Sequence, residues 1–134
     1  MNPSSTVTRA DLAAAATLLE GVALRTPMTV SRALGDLVGG PVHLKCENLQ
    51  RAGSFKIRGA YTRISRLSPE EQSRGVIAAS AGNHAQGVAL AAQMLGLPAT
   101  VMMPDGAAIP KVAATRGYGA EVVFTGRSVD EALV

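Results

Sequence analysis

The chain has 134 residues, with 13 Lys and Arg against 10 Asp and Glu, 47% hydrophobic residues, 3% aromatic residues and no Trp. That is enough for one modest domain, and its Ala, Val, Leu, Ile and Met suit α/β layers in which helices lie close on a sheet. Scattered arginines with two Phe and two Tyr make no stacking platform for single-stranded nucleic acid, so no nucleic-acid partner is expected. Cys46 is the only cysteine, which excludes an intrachain disulfide and a cysteine metal cluster and fits a reducing compartment. Met1 to Thr8 lacks the basic start and apolar core of a secretory signal. No apolar run reaches the roughly 18–20 residues of a membrane helix. A cytoplasmic protein without a membrane partner is the expectation.

In chain order, Thr8 to Glu20 reads as a first helix, with Thr8 as N-cap, Asp11 near the positive end and Gly21 as a stop. Thr26-Pro27 breaks the helical pattern, and Leu34-Gly35-Asp36 and Gly39-Gly40-Pro41 mark a turn. Val42 to Glu47 is a short strand and Asn48 to Gly53 a loop. Ser54 can cap a helix running to about Leu67, with Ile57, Ala60, Tyr61 and Ile64 as its apolar stripe. Ser68-Pro69-Glu70-Glu71 restarts a helical turn with Pro at its first position.

A regular rhythm follows: strand Gly75 to Ala79, tight loop Ser80 to Asn83, and helix His84 to Leu95 with Ala85, Val88, Ala89, Ala92 and Leu95 on one face. Gly96 and Pro98 stop that helix. Strand Ala99 to Met103, helix Ala108 to Arg116 and strand Glu121 to Phe124 complete it. The alternation predicts an α/β fold of parallel-sheet layers with helices on both faces. Ser128-Val129-Asp130-Glu131 looks like a capping box at the start of a helix, which predicts that the chain is part of a longer one.

Two places carry chemistry. Lys56 lies near the start of a helix, where the dipole disfavours an added positive charge and burial would favour the neutral amine that attacks an aldehyde. By position alone, a surface lysine in a first helical turn reads the same way. Ser80-Ala81-Gly82-Asn83-His84 joins a strand to a helix N-terminus, where unpaired backbone N–H groups make an anion site that a carboxylate or phenolic oxygen would fit. A plain helix start with Asn83 as N-cap remains open. His43 has no visible partner, no metal-ligand cluster appears, and neither dinucleotide nor phosphate-loop motifs occur.

Taken together, Lys45-Cys46-Glu47-Asn48-Leu49-Gln50, Gly53 to Ala60, and Ser80 to Gly87 resemble the threonine and serine dehydratases. These are tryptophan-synthase-β-like pyridoxal-phosphate enzymes of fold type II. Thr26-Pro27 and Val101-Met102-Met103-Pro104 also match in place. The resemblance implies pyridoxal 5′-phosphate as cofactor, held by Lys56 as a Schiff base, with Lys56 then serving as base at the substrate α-carbon. It implies that Phe55 packs on the pyridine ring, that Asn83 bonds the ring oxygen, and that Ser80, Gly82, Asn83 and His84 grip the carboxylate of an amino-acid substrate.

The implied reaction is β-elimination from threonine or serine to a 2-oxo acid and ammonia. Residues 1–74 would be the N-terminal part of a large cofactor domain and 75–134 part of a small substrate-gripping domain. Both would be incomplete, with the phosphate cradle beyond Val134, so the 134-residue piece alone is expected to be inactive. The complete enzyme is expected to be a homo-oligomer. Serine racemases typically carry serine at the position of Ala81, so a dehydratase is expected over a racemase. His84 argues against the cysteine synthases. A non-catalytic α/β piece of such an enzyme, or a related pyridoxal-phosphate enzyme (serine racemase, threonine synthase), stands as the alternative.

Overall fold

The computed structural model describes residues 6–133. Helix α1 (Arg9–Leu18) begins at Thr8, which exchanges bonds with Asp11 in a capping box. Strands β1 (Met28–Val30) and β2 (His43–Lys45) form an antiparallel ribbon; β2 falls within the expected strand Val42 to Glu47, and β1 was not expected. The chain reversal between them is made by α2 (Arg32–Val38) and the Gly39-Gly40-Pro41 turn, and antiparallel pairing needs nothing longer.

Leu34-Gly35-Asp36 was expected to turn, yet it lies inside α2. The Ser31 hydroxyl caps this helix by accepting from the Leu34 N–H. Gly39 ends it with φ 74°, and the N–H groups of Gly39 and Gly40 both return to the Gly35 carbonyl. This is the glycine stop that closes helix C-termini. Two short 3-10 turns, Glu47–Leu49 and Arg51–Gly53, replace the expected loop. Helix α3 (Lys56–Ile64) stops one turn before the expected Leu67, because Ser68 caps the separate helix α4 (Pro69–Ser73) through a capping box with Glu71.

From here the expected rhythm holds. Strands β3 (Val76–Ala79), β4 (Ala99–Met103) and β5 (Glu121–Phe124) form a parallel sheet in that order. Helices α5 (Asn83–Leu95) and α6 (Ile109–Gly117) connect them. At the C-terminal end, Glu131 donates to the Ser128 hydroxyl and accepts from the Arg127 N–H, and residues 131–133 form one 3-10 turn. Among the described residues no helix is long and apolar enough to cross a membrane.

Two core clusters meet on α5. Ala85, Ala89 and Ala92 pack on Ala99, Val101 and Met103 of β4 and Val112 of α6. Val88, Leu90 and Ala91 pack on Ile57, Ala60 and Ile64 of α3 and on Val22. The small side chains of α5 let sheet and helix approach it from two sides at once.

A polar latch fastens the segment before β1 to α3. Arg58 donates to both Glu47 carboxylate oxygens, at 2.8 and 2.9 Å, and to the Leu24 carbonyl at 3.0 Å. The Thr26 hydroxyl also donates to Glu47, and the Lys45 ammonium donates to the Thr26 carbonyl. The Gln50 amide closes on Leu24, accepting its N–H at 2.9 Å and donating to its carbonyl at 2.8 Å. Bonding from Arg58, aided by Thr26, lowers the Glu47 carboxyl from 4.5 to about 2 against the opposing effect of burial. A depressed acid stabilises the fold fully above its ordinary value and loses that contribution as pH falls through the folded one. Glu47→Gln is expected to lower the unfolding free energy at neutral pH by about 2 kcal/mol, read by urea denaturation. It should also flatten the loss of stability between pH 4.5 and about 2.

Candidate active site

The path into Lys56 is bent sharply. Ala52 has φ 59° and Gly53 φ 66°, two left-handed residues in succession. For alanine that conformation costs about 1–2 kcal/mol, and the Gln50 latch just upstream holds it in place. Ser54 is buried and its hydroxyl receives the Lys56 N–H at 3.5 Å. Lys56 is the first residue of α3 and Phe55 its N-cap. Ile57 next to it is 0% exposed, which anchors the first turn in the core. Lys56 itself is half-buried. Its ammonium lies 4.9 Å from the centre of the Phe55 ring, and the ring is exposed. Among the described residues Lys56 has no carboxylate in ion-pair reach.

The second group lies where β3 passes into α5. Gly82 is the N-cap and Asn83 the first helical residue, so Asn83 does not cap this helix. No side chain caps it at all, and its first backbone N–H groups have no partner within the helix. The Ser80 hydroxyl accepts the Gly82 N–H at 3.2 Å, and the Ser80 N–H is held by the Met102 carbonyl at 3.0 Å. Asn83 and His84 are exposed. His84 also borders a cleft of about 400 Å³ between α3 and β3, with Arg63, Glu71 and Ile77. His43 lies exposed on β2, away from these residues in the chain.

Two residues that sequence reasoning passed over belong here. A methyl group built on Gly82 would lie 3.6 Å from the Lys111 ammonium nitrogen. Lys111 is in the first turn of α6 and half-buried, and it has no ion-pair partner among the described residues. The signal for it was topological: loops after consecutive parallel strands gather at the carboxyl edge of the sheet. The other residue is Gly87. A Cβ there would lie 2.9 Å from the Lys56 Cβ and 3.0 Å from its carbonyl carbon. An isolated glycine inside an alanine-rich helix was the signal, since it costs about 1 kcal/mol against alanine. Gly87 is one turn after Asn83, about 5–6 Å along the helix. The backbone of Lys56 is therefore seated one turn from the uncapped end of α5. Among the described residues no group of three His, Cys, Asp or Glu side chains could hold a metal ion.

A lysine without a counter-ion, its backbone one turn from the uncapped N-terminus of α5, is an arrangement suited to a carbonyl cofactor and an anionic substrate. Residues 19–134 match the family described as pyridoxal-phosphate dependent enzyme. The chain belongs to that family. Its cofactor is pyridoxal 5′-phosphate, and its fold is fold type II, as the sequence resemblance implied.

L-threonine ammonia-lyase of Thermotoga maritima is 53% identical over 126 residues, covering 94% of this chain and 31% of that protein. L-threo-3-hydroxyaspartate ammonia-lyase of a Pseudomonas species is 54% identical over 121 residues, covering 90% of this chain and 38% of that protein. The solved structure of maize serine racemase matches with a TM-score of 0.84 at 37% identity, covering 91% of this chain and 37% of that one. The chain thus spans roughly a third of the length of these relatives.

Proposed function

We propose that this chain supplies the catalytic lysine and the carboxylate grip of a pyridoxal-phosphate-dependent ammonia-lyase acting on L-threonine, or L-serine, by β-elimination. The observation that carries this reading is the seating of Lys56 on Gly87, one turn from the uncapped end of α5. Because the chain spans 31% and 38% of two ammonia-lyases, the activity is proposed for the full-length enzyme. Residues 1–74 would belong to its larger cofactor domain and 75–134 to its smaller substrate-gripping domain.

The residues present suit the cofactor. Lys56 offers a primary amine free of ion pairs, Phe55 an exposed ring beside it, and the amides of α5 with Lys111 a positive surface for anionic oxygens. In this reading Lys56 would hold the cofactor through its aldehyde, with Phe55 against the ring and Asn83 toward the ring oxygen. Pyridoxal phosphate, when bound, supplies the electron sink that makes an amino-acid α-proton removable.

The chain's own residues do the rest. Ser80, Gly82, Asn83 and His84 hold the substrate carboxylate at the helix start, with Lys111 adding a cation from α6. Released when the substrate's own amine takes its place, the Lys56 amine would then take the proton from the α-carbon. A double bond forms between the α- and β-carbons as the bond from the β-carbon to its hydroxyl breaks, and the hydroxyl leaves as water with the proton handed back by Lys56. Hydrolysis then replaces nitrogen by oxygen, leaving a 2-oxo acid and free ammonia.

Ala81, half-buried in the loop, supports elimination over racemisation. Racemisation needs a second proton carrier on the opposite ring face, and alanine carries none. The deciding experiment is a substrate panel on the full-length enzyme, with L-threonine, L-serine and L-threo-3-hydroxyaspartate. Ammonia and 2-oxo acid are expected from threonine or serine. D-serine forming from L-serine as fast as oxo acid would overturn the elimination reading, and exclusive turnover of hydroxyaspartate would overturn the substrate.

Borohydride reduction of the cofactor-loaded enzyme should fix the label on Lys56 alone, read by peptide mass spectrometry. Lys111→Met is expected to raise KM about tenfold with kcat little changed, the signature of lost uniform binding. A fall in kcat at constant KM would instead place Lys111 in the chemical step.

A further inference from the structure

We infer that Gly87 is a positioning residue for Lys56: its missing side chain sets where the lysine stands relative to the amide end of α5. The inference rests on the reading that Lys56 holds the cofactor. Gly87 is buried in the second turn of α5. A Cβ there would lie 2.9 Å from the Lys56 Cβ, 3.0 Å from the Lys56 carbonyl carbon and 3.3 Å from the Ile57 nitrogen. Two of those three atoms are backbone, so no rotamer change relieves the contact.

The start of α3 would have to shift. Farther along, Ile57, Ala60 and Ile64 are locked in the core against Val88 and Ala91. Displacement therefore collects at the first residue of α3, which is Lys56. The other small residues buried in α5, Ala85, Ala89, Ala91 and Ala92, already carry a Cβ. Gly59 in α3 is a contrast, because a Cβ there meets nothing within 4 Å. Carboxylate binding is done by the first turn of α5, which the substitution leaves alone. Lys56 and the carboxylate grip should thus be separable by a single methyl group.

The test compares three variants of the full-length holoenzyme. Gly87→Ala carries the close contact and Gly59→Ala is a glycine-to-alanine change in open space. Ala91→Val overpacks the same face of α5 one turn away. The readouts are kcat and KM, the pH titration of the visible absorption of lysine-bound cofactor, and apoprotein melting temperature.

Gly87→Ala is expected to lower kcat by ~10²-fold, the scale of a misplacement of about 1 Å, with KM within about threefold. It should also shift the pH midpoint of the cofactor absorption. Gly59→Ala should leave the kinetics and the pH midpoint near the parent and, by removing a mid-helix glycine, raise the melting temperature slightly. Ala91→Val should lower the melting temperature without moving the pH midpoint.

Three outcomes overturn the inference: Gly87→Ala titrating and turning over like Gly59→Ala; its losses following melting temperature as those of Ala91→Val do; or Gly87→Ala failing to fold where Ala91→Val folds, which makes the contact purely structural. Lys56→Ala is the separate control. Lysine-type cofactor absorption surviving in that variant would sink the Lys56 assignment itself, whatever Gly87 does.

Discussion

The start of α3 lies on the second turn of α5 with backbone against backbone. At Gly87 no side chain separates the two helices, and the nearest atoms across the contact belong to Lys56 and Ile57. The placement of Lys56 relative to the amide end of α5 depends on this approach. The lysine comes from one part of the chain and the amide-lined loop from another, more than twenty residues on. Helix α5 can take α3 on one side because its other side meets the sheet through alanines. A bulkier helix would hold sheet and lysine farther apart. The glycine weakens the helix by about 1 kcal/mol relative to alanine, and burial of Ile57, Ala60 and Ile64 against Val88 and Ala91 offsets that through packing.

A second fastening works on the same lysine from upstream. Between Gln50 and Lys56 the chain turns through two left-handed residues, one of them an alanine. Such a bend persists only where neighbours over-determine it. Gln50 is tied to Leu24, and Arg58, two residues past Lys56, is tied to Glu47 and Leu24. The lysine is thus bracketed by two polar clamps that share Leu24 as an anchor. The Lys45 to Gln50 stretch, which carried much of the sequence resemblance, therefore acts through architecture. Lys45, Glu47 and Gln50 are all spent on holding the approach to α3.

How far the fold was legible follows from the same distinctions. Helices α3 and α5 and strand β4 showed in the sequence because their apolar spacing reports burial directly, while β3 and β5 showed as short apolar runs although Ile77 and Phe124 are exposed. Ile57, Ala60 and Ile64 recur at helical spacing and all three are buried. Helix α2 and strand β1 were missed because that signal is absent there: Leu34, Leu37, Val38, Met28 and Val30 are exposed. Helix α2 is defined by the Ser31 cap and the Gly39 stop, and the internal Gly35 obscured it.

In the candidate site, Lys56, Ser80, Gly82, Asn83 and His84 are proposed from local motifs. Gly87 and Lys111 are not, because their meaning lies in what they approach across the fold. The Asn83 cap failed for a local reason: Gly82 takes the cap position, leaving the helix end open.

That open end also bears on substrate choice. An α-carboxylate is common to every amino acid, so a grip made of backbone amides and one cation recognises the class and not the member. Discrimination between a methyl, a hydrogen and a second carboxylate on the β-carbon needs contacts at that carbon. None of the roles assigned to Ser80, Gly82, Asn83, His84 or Lys111 reaches it. Two ammonia-lyases whose names carry different substrates are accordingly similar to this chain at 53% and 54% identity. On the proposed roles, these residues install the lysine and the carboxylate hold that such enzymes share. Changing the substrate would then leave the Lys56–Gly87 contact as it is and act on whatever surrounds the β-carbon.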